Sequence, residues 1–206
     1  MNIYLIRHSA VYNPNKLCYG QSEVPLEENF TLDFDWIQSQ LNLDGDAIYY
    51  SSPFRRCSKL ASFLSDEDFK TDERLKELNF GTWEMKPWKA IPEKELNPWM
   101  EDFVNYKMPK GENFNDLQER SIAFYEEIIQ ADATNIVIVT HAGVIRALTS
   151  YILDYPLENA FNLQIDYSSI TKMTYDPQFA LSKLAYVNLH PQAFKKPIIK
   201  EEEEED

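Results

Sequence analysis

The sequence predicts an α/β protein: a three-layer α/β/α sandwich around a mostly parallel central sheet. Three observations predict it. Short strand-like runs alternate with helical periodicity in the order β-loop-α-β-α, then an insertion, then α-β-α, then a hairpin, the pattern of βα units. The runs ending at Arg7 and at Thr140 are rich in β-branched and aromatic residues, as buried strands are. Reactive polar residues stand just past those strands, where open α/β sheets bind ligands.

The elements follow in order. Ile3-Tyr4-Leu5-Ile6 reads as a short buried strand that delivers Arg7 and His8 to its carboxyl end. Residues 10–29 hold Pro14, Gly20, Pro25 and several Asn, and read as a long loop. Phe30, Phe34, Ile37 and Leu41 are spaced for a helix over residues 30–43. Ala47–Tyr50 is a second strand. Ser51-Ser52-Pro53 then places a Ser cap before a Pro at the first helical position, for a helix running to about Leu64. A short strand is expected near Phe69–Thr71 and a turn at Asn79–Glu84. Residues 86–108 are interrupted by Pro87, Pro92 and Pro98, which predicts an insertion of short helices. Leu117, Ile122, Phe124, Tyr125, Ile128 and Ile129 mark an amphipathic helix over residues 113–131. Asn135–Thr140 is the strongest strand. His141-Ala142-Gly143 turns into a helix from Val144 to about Leu153. Strands 168–175 and 181–189, joined around Asp176-Pro177, read as a hairpin at the sheet edge.

Composition bounds the rest. A chain of 206 residues supports one sizeable core, so residues 1–200 are expected to form one domain with a small helical insertion at about 86–111. Net charge is −14, and the Glu201–Asp206 run supplies six of those charges, leaving −8 for the folded body. An acidic body argues against a nucleic-acid partner, and an anionic substrate needs a local cluster of positive charge. The terminal acidic run is expected to be disordered. Cys18 and Cys57 match no zinc or redox spacing and read as free thiols. The chain opens on a strand with no basic n-region or apolar h-region, and its apolar runs fall short of the ~20 residues a membrane helix needs. A cytoplasmic protein with no membrane partner is the expectation. Oligomeric state is open, a homodimer being one option.

Four positions carry chemistry: Arg7-His8, Arg55-Arg56, Glu77 and His141. Guanidiniums neutralise phosphoryl oxygens with a planar fork of donors. A neutral imidazole is a competent nucleophile near neutral pH. A carboxylic acid can protonate a departing alkoxide and then activate water. The set therefore points to phosphoryl transfer with no metal or cofactor. Plainer readings exist for each residue. His8 and His141 could be metal ligands, although no third ligand lies at the right spacing. Arg55 and Arg56 could be a solvated helix face. Asp72, Glu73 and Glu84 rival Glu77 as the acid. Cys57 reads as a small core residue, and His190 as a strand-end residue.

Together the motifs resemble the histidine phosphatase superfamily, also called phosphoglycerate mutase-like. Leu5-Ile6-Arg7-His8-Ser9 is similar to its opening signature, and Ser51-Ser52-Pro53-Phe54-Arg55-Arg56-Cys57 to its second motif. Leu75-Lys76-Glu77-Leu78-Asn79-Phe80-Gly81-Thr82-Trp83-Glu84 and Val139-Thr140-His141-Ala142-Gly143 supply the third and fourth. The resemblance implies that fold, with His8 as phosphoryl acceptor, Arg7, Arg56 and His141 as the phosphate pocket, and Glu77 as proton donor. By the motif register the second Arg is Arg56, not Arg55, and Glu84 is a structural or rim carboxylate.

A narrower resemblance lies in the first loop. Leu17-Cys18-Tyr19-Gly20-Gln21-Ser22-Glu23-Val24-Pro25-Leu26 is similar to a segment of α-ribazole phosphatases, which act in cobalamin nucleotide-loop assembly. It implies that Gly20 lets backbone approach the phosphate and that Gln21 and Ser22 donate to it. The plainer alternative is a loop that packs Tyr19 over the sheet edge. Two departures from the family stand out: Ser9-Ala10 replaces Gly-Glu or Gly-Thr, and Pro14 stands where relatives carry Asn, leaving Asn13 to substitute as a donor. The partner expected is a small phosphorylated metabolite. A broad-specificity phosphatase and a phosphoglycerate mutase are alternatives within the superfamily, and a non-catalytic binding protein is the alternative outside catalysis. Trp88, Trp99, Phe103 and Tyr106 form either the insertion's own core or a stacking surface for a flat base, with the core reading favoured.

Overall fold

The computed structural model describes residues 1–41 and 43–190. The expected domain end at residue 200 and the acidic tail lie outside the described residues. A six-stranded mixed sheet runs through the middle, in the order β3-β2-β4-β1-β5-β6. Its members are β1 (Asn2–Arg7), β2 (Ala47–Ser51), β3 (Lys70–Thr71), β4 (Asn135–Thr140), β5 (Ile170–Asp176) and β6 (Leu181–Leu189). The first four are mutually parallel; β5 runs antiparallel to β1, and β6 antiparallel to β5 at the edge. The mostly parallel sheet with an antiparallel edge hairpin is the predicted one.

Alternation along the central strands builds the three layers, because successive side chains point to opposite faces. Ile3 and Leu5 of β1, with Ile136 and Ile138 of β4, face α4 (Phe114–Ile128) and α5 (Ala142–Ile152). Tyr4, Ile6, Val137 and Val139 face α1 (Phe30–Gln40) and α2 (Arg55–Ser65). All six residues of β4 are buried, as expected for the strand between β1 and β2.

Some boundaries move for identifiable reasons. α2 begins at Arg55 and not at the Ser-Pro step, with Phe54 in extended backbone before it. Ser51 donates its hydroxyl to the Ser52 carbonyl, and Ser52 pairs with His141, so neither caps the helix. α1 stops at Gln40 because Leu41 is extended. α4 begins after Asn113, whose side chain forms a reciprocal capping box with Asp116. α5 begins at Ala142, two residues before the expected start, with His141 as its N-cap residue. β5 begins after Ser168, which sits at φ +60°.

The insertion carries a 3₁₀ turn at Trp88–Ala90 and α3 (Glu93–Glu101). Pro87 and Pro92 precede these two elements, while Pro98 lies inside α3. Ile91, Val104 and Met108 are buried in the same core as α4 and α5. Trp99 and Tyr106 pack about Trp83, with ring centroids 6.0 and 6.1 Å away, so these aromatics form core, as favoured. Trp88 both packs on Trp99 and lines a cavity. No helix among the described residues is long and apolar enough to cross a membrane.

Candidate active site

Sheet register assembles the site. Arg7 pairs with Thr140 across β1 and β4, so the next residue on each strand is a histidine. The His8 backbone N–H donates to the Thr140 carbonyl at 3.1 Å. The two imidazoles then meet edge to face with centroids 5.1 Å apart. Both are buried. They line a cavity of about 210 Å³ with Arg7, Glu77, Trp88 and Arg146 among its other walls.

Burial lowers the pKa of both imidazoles well below the ordinary range, and nearby guanidiniums push the same way. For His8 the next causes are Arg56 and Arg7; for His141 they are Arg56 and His8. A cation in low dielectric next to other cations is disfavoured, so the pair is neutral near pH 7. His8 Nδ1 lies 2.8 Å from the Ser9 carbonyl oxygen. A carbonyl only accepts, so Nδ1 carries the proton and Nε2 keeps its lone pair. His141 Nε2 lies 2.8 Å from Ser52 Oγ, with Cys57 Sγ 3.5 Å from the same nitrogen. Burial raises the Cys57 thiol pKa, which keeps it an inert packing group.

Arg7 donates Nη1 to the Ile165 carbonyl at 2.6 Å and lies 3.7 Å from the centroid of the Tyr167 ring. Arg56 is buried and Arg55 is exposed. Arg56 donates to the carbonyls of Gly20 and Ser22 and lies over the Phe54 ring. The Nε of each of these guanidiniums, Arg7 and Arg56, is buried without a protein partner among the described residues, and such donors ask for an explanation. Arg56 is tied to the residues 20–22 loop by those two carbonyls and is the foremost charged neighbour of both imidazoles.

Glu77 is placed by α5 and by the segment before it. Its two carboxylate oxygens accept from the N–H groups of Leu78 (2.9 Å) and Gly143 (3.1 Å). Gly143 is required by this approach: a Cβ there would lie 2.1 Å from Glu77 Oε1. Arg120 holds the chain on the other side, donating to the carbonyls of Arg74, Lys76 and Glu77 while paired with Glu112. The rival acids are engaged elsewhere. Asp72 pairs with Arg74, Glu73 with Lys76, and Glu84 with the first loop.

The first loop differs from expectation. Glu84 accepts from the backbone N–H groups of Gly20, Gln21, Ser22 and Phe80, and from Ser22 Oγ at 2.7 Å. Gln21 donates its amide to the Glu77 carbonyl. The donors expected to meet a phosphate are thus turned onto Glu84 and Glu77. The backbone approach that requires Gly20 is to Leu78, whose carbonyl oxygen would lie 1.8 Å from a Cβ. Asn13 closes its own loop by two bonds to Leu17. The Ser9 hydroxyl bonds Ser168, which donates to Asp33.

Sequence reading missed three residues. Arg146 lines the cavity, and its place on α5, one turn beyond Gly143, is the signal that could have found it. Tyr167 stacks on Arg7 and joins Tyr19 by a 2.7 Å hydroxyl contact; Arg120 clamps the Glu77 segment. The latter two work through packing partners distant in the chain and have no local signature. Among the described residues, no three His, Cys, Asp or Glu side chains gather as a metal site would need.

The family model described as histidine phosphatase superfamily (branch 1) matches residues 3–186. A protein of Hydrogenobacter thermophilus, provisionally named phosphoserine phosphatase 2, is 28% identical over 194 residues, covering 90% of this chain and 94% of its own. A Yersinia pestis protein provisionally named a phosphoglycerate mutase is 26% identical over 185 residues, covering 85% of each. The crystal structure of an α-ribazole phosphatase from Shigella flexneri superposes with a TM-score of 0.82 at 21% identity, over 91% of this chain and 96% of that one.

Two outcomes follow from the geometry. The unfolded chain takes protons at its histidines below their ordinary pKa of about 6.5, while the folded chain refuses them at His8 and His141. Stability should therefore be unaffected by these groups above pH 7 and decline as pH falls below about 6.5. Thermal melts from pH 7.5 to 5.0 should show that slope, reduced in His8→Asn by up to one proton; an unreduced slope would mean that His8 protonates in the folded state. Separately, Glu84→Ala leaves a cluster of donors without their acceptor and should cost roughly 3 kcal/mol or more in urea unfolding.

Proposed function

Because the chain belongs to the histidine phosphatase superfamily, branch 1, we propose that it is a metal-independent phosphomonoesterase acting through a phosphohistidine on His8. One observation carries the reading: two buried, neutral imidazoles lie in the field of Arg7 and Arg56 at the carboxyl ends of adjacent parallel strands. With its proton held on Nδ1 by Ser9, His8 offers Nε2 to phosphorus. Arg7 neutralises the phosphoryl oxygens from the cavity wall, the neutral imidazole of His141 hydrogen-bonds to them, and Arg56 adds its charge. As the N–P bond forms, the P–O bond to the alcohol breaks, and Glu77, as a carboxylic acid, gives its proton to the leaving oxygen. Glu77 as carboxylate then takes a proton from water, whose oxygen attacks phosphorus. The N–P bond breaks, His8 returns to its neutral form, and inorganic phosphate leaves. Asn13, Gly20, Gln21 and Ser22 take no part in the reaction, since the donors expected to meet a phosphate are satisfied inside the protein.

For the substrate, the Leu17–Leu26 segment supports α-ribazole 5′-phosphate and a place in cobalamin nucleotide-loop assembly. The aromatic wall of Phe80, Trp88 and Phe161 suits a flat base. A superfamily mutase would share the first half of the cycle and return the phosphoryl group to bound product instead of water.

The experiment is phosphate release in EDTA from α-ribazole 5′-phosphate, 3-phosphoglycerate, phosphoserine, glycerol 3-phosphate and a nucleotide monophosphate. A preference of about 100-fold in kcat/KM for α-ribazole 5′-phosphate, about 2.7 kcal/mol of transition-state binding, supports that substrate; a flat profile supports the broad-specificity alternative. Isomerised phosphoglycerate without phosphate release supports the mutase. Release from none supports a non-catalytic binding protein. His8→Ala should abolish turnover with its melt retained, and wild-type-like turnover in that variant removes His8 as nucleophile. Glu77→Gln should slow glycerol 3-phosphate by about 100-fold or more, and p-nitrophenyl phosphate, whose leaving group barely needs a proton, far less. Equal losses would argue against the acid role.

A further inference from the structure

A second cavity, of about 340 Å³, lies at the start of α2, between that helix and the end of the first loop. The reaction makes no use of it. Arg55, Arg56 and Lys59 line it, with Glu23 and Phe30 among its other walls. Arg55 and Lys59 are four residues apart on α2, so their side chains share one face of the helix. Both are exposed, and among the described residues neither side chain takes part in an ion pair. The Lys59 ammonium lies 5.1 Å from the centroid of the Phe30 ring. Arg56 is the buried member of the set. Its Nη1 and Nη2 go to the Ser22 and Gly20 carbonyls, and its Nε is a buried donor without a protein partner among the described residues. Against these three cations the wall carries one carboxylate, Glu23, whose Oε1 accepts from the Arg55 backbone N–H at 3.0 Å.

An excess of positive charge on a concave wall is out of keeping with a chain of net charge −14, and it concentrates anions locally. Guanidinium and ammonium donors gathered in one cavity suit a tetrahedral oxyanion, whose several acceptor atoms can meet them together. We propose that this cavity is a second, non-catalytic anion site that takes inorganic phosphate, and that its occupation slows turnover. The binding stands on this geometry alone; the effect on turnover rests on the phosphomonoesterase reading. Arg56 joins the two sites. It lines the second cavity and is also the foremost charged neighbour of His8 and His141. A phosphate beside it offsets the positive charge that it lends to the transferring phosphoryl group in the transition state. The order of steps makes this effect separable from ordinary product inhibition. Inorganic phosphate leaves the catalytic cavity last, so it returns there only to free protein and competes with substrate. That inhibition disappears at saturating substrate. Phosphate in the second cavity lowers kcat itself.

The test is inhibition of p-nitrophenyl phosphate turnover by inorganic phosphate, in EDTA, with chloride holding ionic strength constant. In wild-type protein, kcat at saturating substrate should fall roughly fivefold as phosphate is raised. The protein carrying Arg55→Gln and Lys59→Gln keeps Arg56, and both changed side chains are exposed. Without phosphate its kcat should stay within about twofold of wild type, since exposed charges are screened, and added phosphate should raise only its apparent KM. Purely competitive inhibition of wild-type protein overturns the inference, as does a fall in kcat that the two substitutions leave in place. An NMR titration supplies an arm that needs no turnover. Inorganic phosphate added to the His8→Ala protein should shift the backbone amides of Val24 and Phe30 saturably, and the two added substitutions should abolish that shift while a saturable shift at Gly143, on the catalytic cavity, remains. A shift at Gly143 alone, or one at Val24 and Phe30 that survives the substitutions, overturns the site. Absence of phosphate release from every ester is the separate result that overturns the phosphomonoesterase reading and the kinetic consequence with it, while the titration still decides the binding.

Discussion

Two imidazoles are kept neutral inside a cluster of guanidiniums, and the rest of the site depends on that constraint. A protonated histidine between Arg7 and Arg56 would add a third cation to a buried cluster, so burial and repulsion both hold the rings in the form that has a lone pair to offer. The Ser9 carbonyl then decides which nitrogen of His8 has it. This arrangement exists because β1 and β4 are parallel and in register at Arg7 and Thr140. A shift of one residue would send one imidazole to the opposite face of the sheet.

The surroundings satisfy buried groups in a chain of dependencies. Glu84 gathers the N–H groups of residues 20–22. The loop so folded turns its carbonyls toward Arg56. Gly20 permits the loop to lie against Leu78, and Gly143 permits Glu77 to lie against α5. Glycine is needed at both places for lack of room. On the far side of the cavity, Arg146 is held by a carbonyl and a ring, giving the cavity a second cationic position apart from Arg7.

Much of this was legible in the chain. β4 is so uniformly apolar that its limits read directly, and both histidines stand immediately after the strands that place them. Glu77, by contrast, is one acid among 34 acidic residues and was legible only through the motif around it. The Ser51-Ser52-Pro53 step was misread as a cap because its hydroxyls have better partners in the Ser52 carbonyl and His141. The first loop was misread for a similar reason. Gln21 and Ser22 are good donors, but the half-buried carboxylate of Glu84, 62 residues away from Ser22, takes the Ser22 hydroxyl and both backbone N–H groups, and the Glu77 carbonyl takes the Gln21 amide. Arg120 and Tyr167 carry no local pattern, since their work lies in contacts with residues remote in the chain.

The sequence by itself determined the layered α/β architecture, since strand alternation and helical periodicity are local properties of the chain. It also determined which reactive groups stand at strand ends, because their position follows from where the apolar runs stop. The tertiary structure decided how those groups are used. Which donors remain for a ligand depends on which acceptors have already claimed them, and those acceptors come from distant segments: Glu84 for the loop, Ser52 for His141, Leu163 for Arg146. Charge state follows the same logic, because burial and neighbouring cations act through space and not along the chain.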